Sequence, residues 1–221
     1  MFWRRKRLNY ELDQSLQLDT KIQDMSFTIF DTETTGFAIS ANDRLIEIGA
    51  VHVDRLEVTD WTFQTFVNPS RKIPEHITRL TSIEQHHVEN APSPLEAIES
   101  YFQFIEETKS GGWVGHHVSF DEMVIKKELH REKYSYGRPS SFDTKDLIDY
   151  LFPSWEQRDL EEYSKLFGTE IFERHRALGD ALTTAHLFVE ILKRLESKGI
   201  TTLSDLVRIK NSKANQHVAQ F

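Results

Sequence analysis

Cysteine is absent from the 221-residue chain, so disulfides and thiolate zinc sites are excluded, and a reducing compartment is the expected home. Glycine and proline are sparse at nine and six, and there is no repeat or low-complexity tract. No stretch approaches the ~20 consecutive apolar residues a membrane span needs. The start, "MFWRRKRLNY", is basic, but no apolar run of roughly 7–15 residues follows, so it does not read as a secretory signal. Positive charge is in deficit: 27 Lys+Arg face 35 Asp+Glu, a formal net charge of −8. That sign argues against a uniformly basic nucleic-acid binder; any such binding must come from a local site or from metal ions that change its field. The expectation is a soluble cytoplasmic protein with no membrane association.

Hydrophobic residues make up 38% of the chain and include fifteen Phe, enough for one large domain with a real core. Three strands are predicted at 26–31, 44–53 and 61–67, joined by short connections that fit an antiparallel meander. The segment "NPSRKIPEHITRL" reads as loop, punctuated by Pro69 and Pro74. Ser93, Pro94 and Glu96 open a helix with capping-box spacing, and Gly111 and Gly112 lead from it into the short strand "WVGH". Further helices are predicted at 120–131, after Asp143, at 159–167 and at 178–196, with a strand at 140–143. Strands as a meander and then alternating with helices indicate an α/β fold, a mixed sheet covered on both sides. The expected division is an N-terminal extension at 1–24 without strands, a main domain at 25–197 and a polar tail at 198–221 holding one short helix at 202–209.

The stretch "FTIFDTETTGF" places Asp31 and Glu33 at the end of an apolar strand. Side chains alternate, so the two acids share a face with Cα atoms roughly 7 Å apart. Asp121 heads an apolar helical stripe with Ile125 and Leu129, and Asp180 begins a helix that is apolar almost all round. Both acids therefore point inward, where an unpaired charge is costly. Four carboxylates at that spacing make six pairs of ~2.4 kcal/mol each at an effective dielectric of about 20. The sum, roughly 14 kcal/mol, rivals a whole domain's stability of ~5–15 kcal/mol, so the cluster must protonate or bind cations. Two divalent ions balance it, and oxygen-only ligands favour Mg²⁺ or Mn²⁺. His175 lies about 140° around a regular helix from Asp180, so it reaches the same point only from a preceding loop. A histidine there suits a general base near neutral pH.

The segments "DTETTG", "HHVSFD" and "HRALGD" together resemble the three motifs of the DnaQ-like DEDDh 3′→5′ exonucleases. "NPSRKIPEHITRLTSIEQHHVENAPS" and "FDTKDL" resemble that family's connecting segments, so the resemblance covers roughly residues 26–195. It implies a ribonuclease H-like fold: a five-stranded mixed sheet, its first three strands antiparallel, with helices around it. By resemblance Asp31, Glu33, Asp121 and Asp180 are metal ligands for two divalent cations and His175 is the base. Thr32, Thr34, Thr35, Gly36 and Phe37 form the wall around the terminal nucleotide, and His117 and Phe120 are substrate contacts. The chain departs from the pattern at His117, often Asn in the family, and at Ser82, often Gly. The implied activity is release of nucleoside 5′-monophosphates from single-stranded 3′ ends, DNA being favoured. RNA trimming or turnover is the alternative within that chemistry, and a non-catalytic nucleic-acid-binding module is the alternative outside it. A polymerase or sliding-clamp partner is a further expectation, the clamp resting on "QHVAQF". The histidine pairs 86–87 and 116–117 lack metal-site spacing, Asp143 reads as a helix cap, and "WRRKR" offers phosphate contacts.

Overall fold

The computed structural model describes residues 6–12 and 16–218, with 213–218 as backbone only. Its centre is a five-stranded sheet. Strand β2 (Ser26–Thr34) pairs antiparallel with β3 (Leu45–Asp54), which pairs antiparallel with β4 (Glu57–Phe66). On its other edge β2 meets β5 (Trp113–Gly115), and β5 meets β7 (Ser141–Asp143), both parallel, giving the order β4-β3-β2-β5-β7. The meander and the mixed sheet are those expected from the strand pattern.

Alternation along β2 builds two cores. Phe27 and Ile29 face one side and pack with α5 (Thr144–Leu151), α6 (Leu160–Phe167) and α7 (Ala177–Ser197) through residues such as Leu147, Tyr163 and Phe188. Phe30 faces the other side and packs with α3 (Pro94–Thr108) and α4 (Val118–Arg131) through Tyr101 and Ile125, together with Trp113 of β5. The predicted cap on α3 forms: Ser93 accepts from the Glu96 N–H, and Glu96 answers to the Ser93 N–H at 2.8 Å.

Three readings of the sequence change. The loop-like segment after Pro69 contains α1 (Glu75–Thr81) and α2 (Gln85–Val88), because Ile77, Ile83 and Val88 bury against Ile46 in a small separate cluster. The N-terminal extension holds a strand after all: β1 (Lys6–Arg7) pairs in parallel with β6 (Tyr134–Ser135). Beyond it, Leu8 and Leu12 join the α3–α4 core. The tail forms α8 (Leu203–Val218), which extends the short helix expected at 202–209, with Leu206 and Ile209 buried under α5 and β7. Arg4 and Arg5, and the last three residues of "QHVAQF", lie outside the described residues. Among the described residues no helix is long and apolar enough to cross a membrane.

Candidate active site

Asp31 and Glu33 extend the odd-numbered row of β2 that Phe27 and Ile29 begin, so they face α7 at the strand's C-terminal end. Asp180, in the first turn of α7 and 7% exposed, meets them there. One carboxylate oxygen from each of the three lies within 4.8 Å of the others. Asp121 comes from the opposite side of β2. It sits in the first turn of α4, 4% exposed, and its Oδ1 accepts from the backbone N–H of Thr32 at 2.9 Å and from the Thr32 hydroxyl at 2.6 Å. Thr32, on the even row, is thus the bracket between Asp121 and the strand that carries the other two acids.

Burial and mutual repulsion raise the carboxyl groups of Asp31, Glu33 and Asp121. Asp31 is pushed well above the usual range by burial, then by the charges of Asp121 and Glu33. Glu33 rises to about 8, through burial and then Glu47. Asp121 rises to about 7 by burial, held back by its bonds from Thr32. Arg174 opposes the trend at Asp31 and Glu33, and its guanidinium pairs with Asp180 Oδ1.

His175 stands where the sequence requires it to stand if it is to serve this site, on the turn before α7. Its φ is 60°, its side chain is exposed, and its N–H donates to Asp180 Oδ2 at 3.2 Å. Partial burial and Arg174 lower its pKa from 6.5.

That turn is fastened by a residue that pattern reading passes over. Glu47 is fully buried on β3, directly across from Glu33. It accepts from Arg176 Nη2 at 2.8 Å, from the Ala177 N–H at 2.9 Å and from Gln64 at 2.8 Å. Next to it, Gly49 pairs with Asp31 and leaves room for α7: a Cβ there would lie 2.1 Å from the Leu178 nitrogen. The available signal was a lone acid followed by a glycine inside the otherwise apolar "RLIEIGAVHV".

The mouth is formed by the loop after β2. Gly36 has φ 152°, and a Cβ there would meet Asp43 Oδ2 at 2.5 Å. Thr34 donates to the Gly36 carbonyl at 2.8 Å and Thr35 to Asp43 at 3.0 Å, so both hydroxyls shape the loop. Buried Glu128 on α4 holds the far end through Arg44 at 2.9 Å and the Leu45 N–H at 3.1 Å. Phe37 is 82% exposed, its ring 5.8 Å from that of Phe120 on α4. His117 begins α4 at φ 67°, its N–H donating to Asp143 at 3.1 Å and its ring 3.2 Å from the Lys145 ammonium. His116 is inward, 2.8 Å from the Thr144 hydroxyl, and burial depresses it to about 3. Asp143 caps α5 through the Lys145 N–H at 3.0 Å, the role its position predicts.

A family model described as Exonuclease matches residues 28–188, a span containing every one of these acids and His175. The chain belongs to the exonuclease family. The DNA polymerase III subunit epsilon of Aquifex aeolicus is 32% identical over 201 residues, covering 90% of this chain and 97% of that one. The PolC-type DNA polymerase III of Caldanaerobacter subterraneus is 32% identical over 89% of this chain, which spans only 14% of that much longer protein. Among solved structures, the nuclease domain of 3′hExo, a DEDDh family member bound to rAMP, superposes with a TM-score of 0.68 at 19% identity, over 79% of this chain and 94% of that domain. That likeness establishes the ribonuclease H-like fold.

Proposed function

We propose that this exonuclease-family chain removes nucleoside 5′-monophosphates, one at a time, from single-stranded 3′ ends, with DNA the favoured substrate. The observation that carries the reading is the convergence of Asp31, Glu33 and Asp180 within 4.8 Å beside an exposed aromatic mouth. The donor set is all oxygen and its charge exceeds what Arg174 alone balances, so it fits hard divalent cations. Asp31, Glu33 and Asp180 would hold them, with Asp121 completing the set from across β2. Two Mg²⁺ or Mn²⁺ ions held there would supply Lewis-acid stabilisation to the phosphoryl group and the leaving oxygen.

The chain's own residues do the rest. His175 is neutral at neutral pH because its pKa is lowered, so a ring nitrogen can take the proton of the attacking water. Its place on a left-handed turn beside Asp180, not on the helix, supports this role, since from there the ring would reach over the acids. Phe37 and Phe120 offer a stacking surface for the terminal bases, a contact worth ~1–3 kcal/mol per base in single-strand binders. Thr32, Thr34, Thr35 and Gly36 fix the wall behind the terminal sugar, and His117 stands at its exposed rim.

DNA is favoured because relatives are named as DNA polymerase III proteins, and the same names support association with a polymerase. RNA remains the second reading, carried by the neighbour whose structure holds rAMP. The deciding assay uses 5′-labelled single-stranded DNA and RNA of matched sequence with Mg²⁺ and with Mn²⁺. A ladder shrinking one nucleotide at a time from the 3′ end is expected, slower on a blunt duplex, whose end must first unpair at a cost of a few kcal/mol. Cuts within a circular single strand would overturn the reading. His175→Ala should lower kcat roughly 10²–10⁴-fold with metal affinity by calorimetry little changed.

A further inference from the structure

Helix α4 leads away from the mouth to a surface rich in basic side chains, on a chain whose net charge is −8. Phe120 stands at the lip, and Met123, one turn on, touches Ser40 of the mouth loop at 4.0 Å. Beyond them opens a cleft of about 550 Å³ lined by Lys126, Lys127, His130, Tyr134, Tyr136 and Arg138. Positions 120, 123, 127 and 130 follow one helical face, so the path climbs about 15 Å from the lip at the helical rise. The facing wall is β6, whose register sets Lys6 against Tyr134 and Arg7 against Ser135, with both cations exposed. Glu122 is the one carboxylate among the residues lining the cleft, and it is buried and bonded to Arg138. The chain carries −8 overall, yet basic residues of α4 and Arg138 line this cleft with two tyrosines, and Lys6 and Arg7 stand on the strand paired to its wall.

A helix C-terminal half attracts basic residues to complement its dipole, which accounts for Lys126, Lys127 and His130 alone. It does not account for Lys6 and Arg7 on another strand, nor for their meeting the part-exposed Tyr134 and Tyr136, whose inner sides pack on the α3–α4 core. Basic side chains interleaved with aromatic faces are the chemistry of single-strand tracks. We propose that the cleft between α4 and the β1–β6 ribbon is a second nucleic-acid-binding site, which grips the phosphodiester backbone of the substrate strand several nucleotides 5′ of the end held at the acids. This rests on the exonuclease reading for its orientation, and the strand would run from Phe37 and Phe120 past Met123 into the cleft.

The test uses the full chain and the K126A/K127A variant, neither residue belonging to the catalytic site. Fluorescence anisotropy of a labelled single-stranded (dT)20 in EDTA reads the cleft without turnover. The variant should bind about tenfold more weakly, and the slope of log K against log salt should flatten by about 1.4, the value for two lost phosphate contacts on a single strand. Hydrolysis of the p-nitrophenyl ester of thymidine 5′-monophosphate, which has no upstream strand, should be unchanged by the substitution, while KM on (dT)20 rises. Equal affinity and equal salt slope would overturn the cleft proposal and leave the face to an acidic protein partner. Equal loss on the ester and the oligonucleotide would overturn it too, by showing damage to the acidic site. Failure of the wild-type chain on every substrate, with anisotropy still altered by the substitution, would instead count against the exonuclease reading and uphold the cleft.

Discussion

Asp31, Glu33 and Asp121 hold their protons far above the usual carboxylate range, and the direction has a thermodynamic consequence. Unfolded carboxylates titrate at about 4, so between there and the raised folded values the native state binds more protons than the unfolded one. The stabilisation is therefore complete below about pH 4 and is lost as the pH climbs through about 7 and about 8. In EDTA the urea midpoint should fall from pH 5 to pH 9, and saturating Mg²⁺ should restore most of the loss at the alkaline end. Asp31→Asn should flatten that fall and abolish turnover. A midpoint that rises with pH in EDTA would contradict the packing of these acids against one another.

At the scale of elements, the site depends on how closely α7 can approach β3. Gly49 sits where any Cβ would overlap the backbone of Ala177 and Leu178, and Gly179 where it would overlap the Glu173 carbonyl. Backbone cannot swing aside as a flexible side chain can, so Gly49→Ala should push the first turn of α7, and Asp180 with it, away from Asp31. Overpacking of this kind costs ~1–3 kcal/mol. The expected outcome is a lower melting temperature together with a fall in Mg²⁺-dependent rate of at least about tenfold, since a misplacement near 1 Å can cost about a hundredfold. Unchanged kcat in a destabilised variant would show that the approach serves packing alone. The two departures from the family pattern also meet structure here. Ser82, at the C-cap of α1, has φ 59°, and His117, at the N-cap of α4, has φ 67°. Left-handed backbone suits Gly and Asn and costs other residues roughly 1–2 kcal/mol. Ser82→Gly should therefore stabilise the protein by about 1 kcal/mol with activity unchanged, as read by denaturant unfolding and the labelled-strand assay.

The described residues are held by two large cores on opposite faces of one sheet, besides the small cluster under α1 and α2, and Leu8 and Leu12 belong to one of the large ones. Leu12 is 3% exposed beside α3, and Tyr10 stacks edge-on against Phe102 at 5.6 Å. Leu12→Ala should cost ~2–5 kcal/mol, the range for a buried leucine, with unfolding still cooperative. A loss below about 0.5 kcal/mol, the scale of surface substitutions, would show the segment to be loosely attached in solution. The same docking brings Lys6 and Arg7 to the basic cleft, which ties the molecule's charge asymmetry to the placement of its first strand.

Periodicity was enough to find β2, β3, α3 and α7, because each carries an apolar row of the right period and a local cap or turn. It also marked Asp31, Glu33, Asp121 and Asp180 as acids on faces that should have been apolar. Those are local conflicts, and a local conflict is visible in one dimension. Pairing is not. That Glu47 would fasten the His175 turn, that Gly49 would admit α7, and that Thr32 would bracket Asp121 depended on strand register and helix approach across as many as 130 positions. The N-terminal strand and α1 escaped for a related reason. Each is too short to show a period of its own: the strand is held by backbone pairing with Tyr134 and Ser135, and α1 by burial of Ile77 against Ile46, partners that only the folded chain brings within reach.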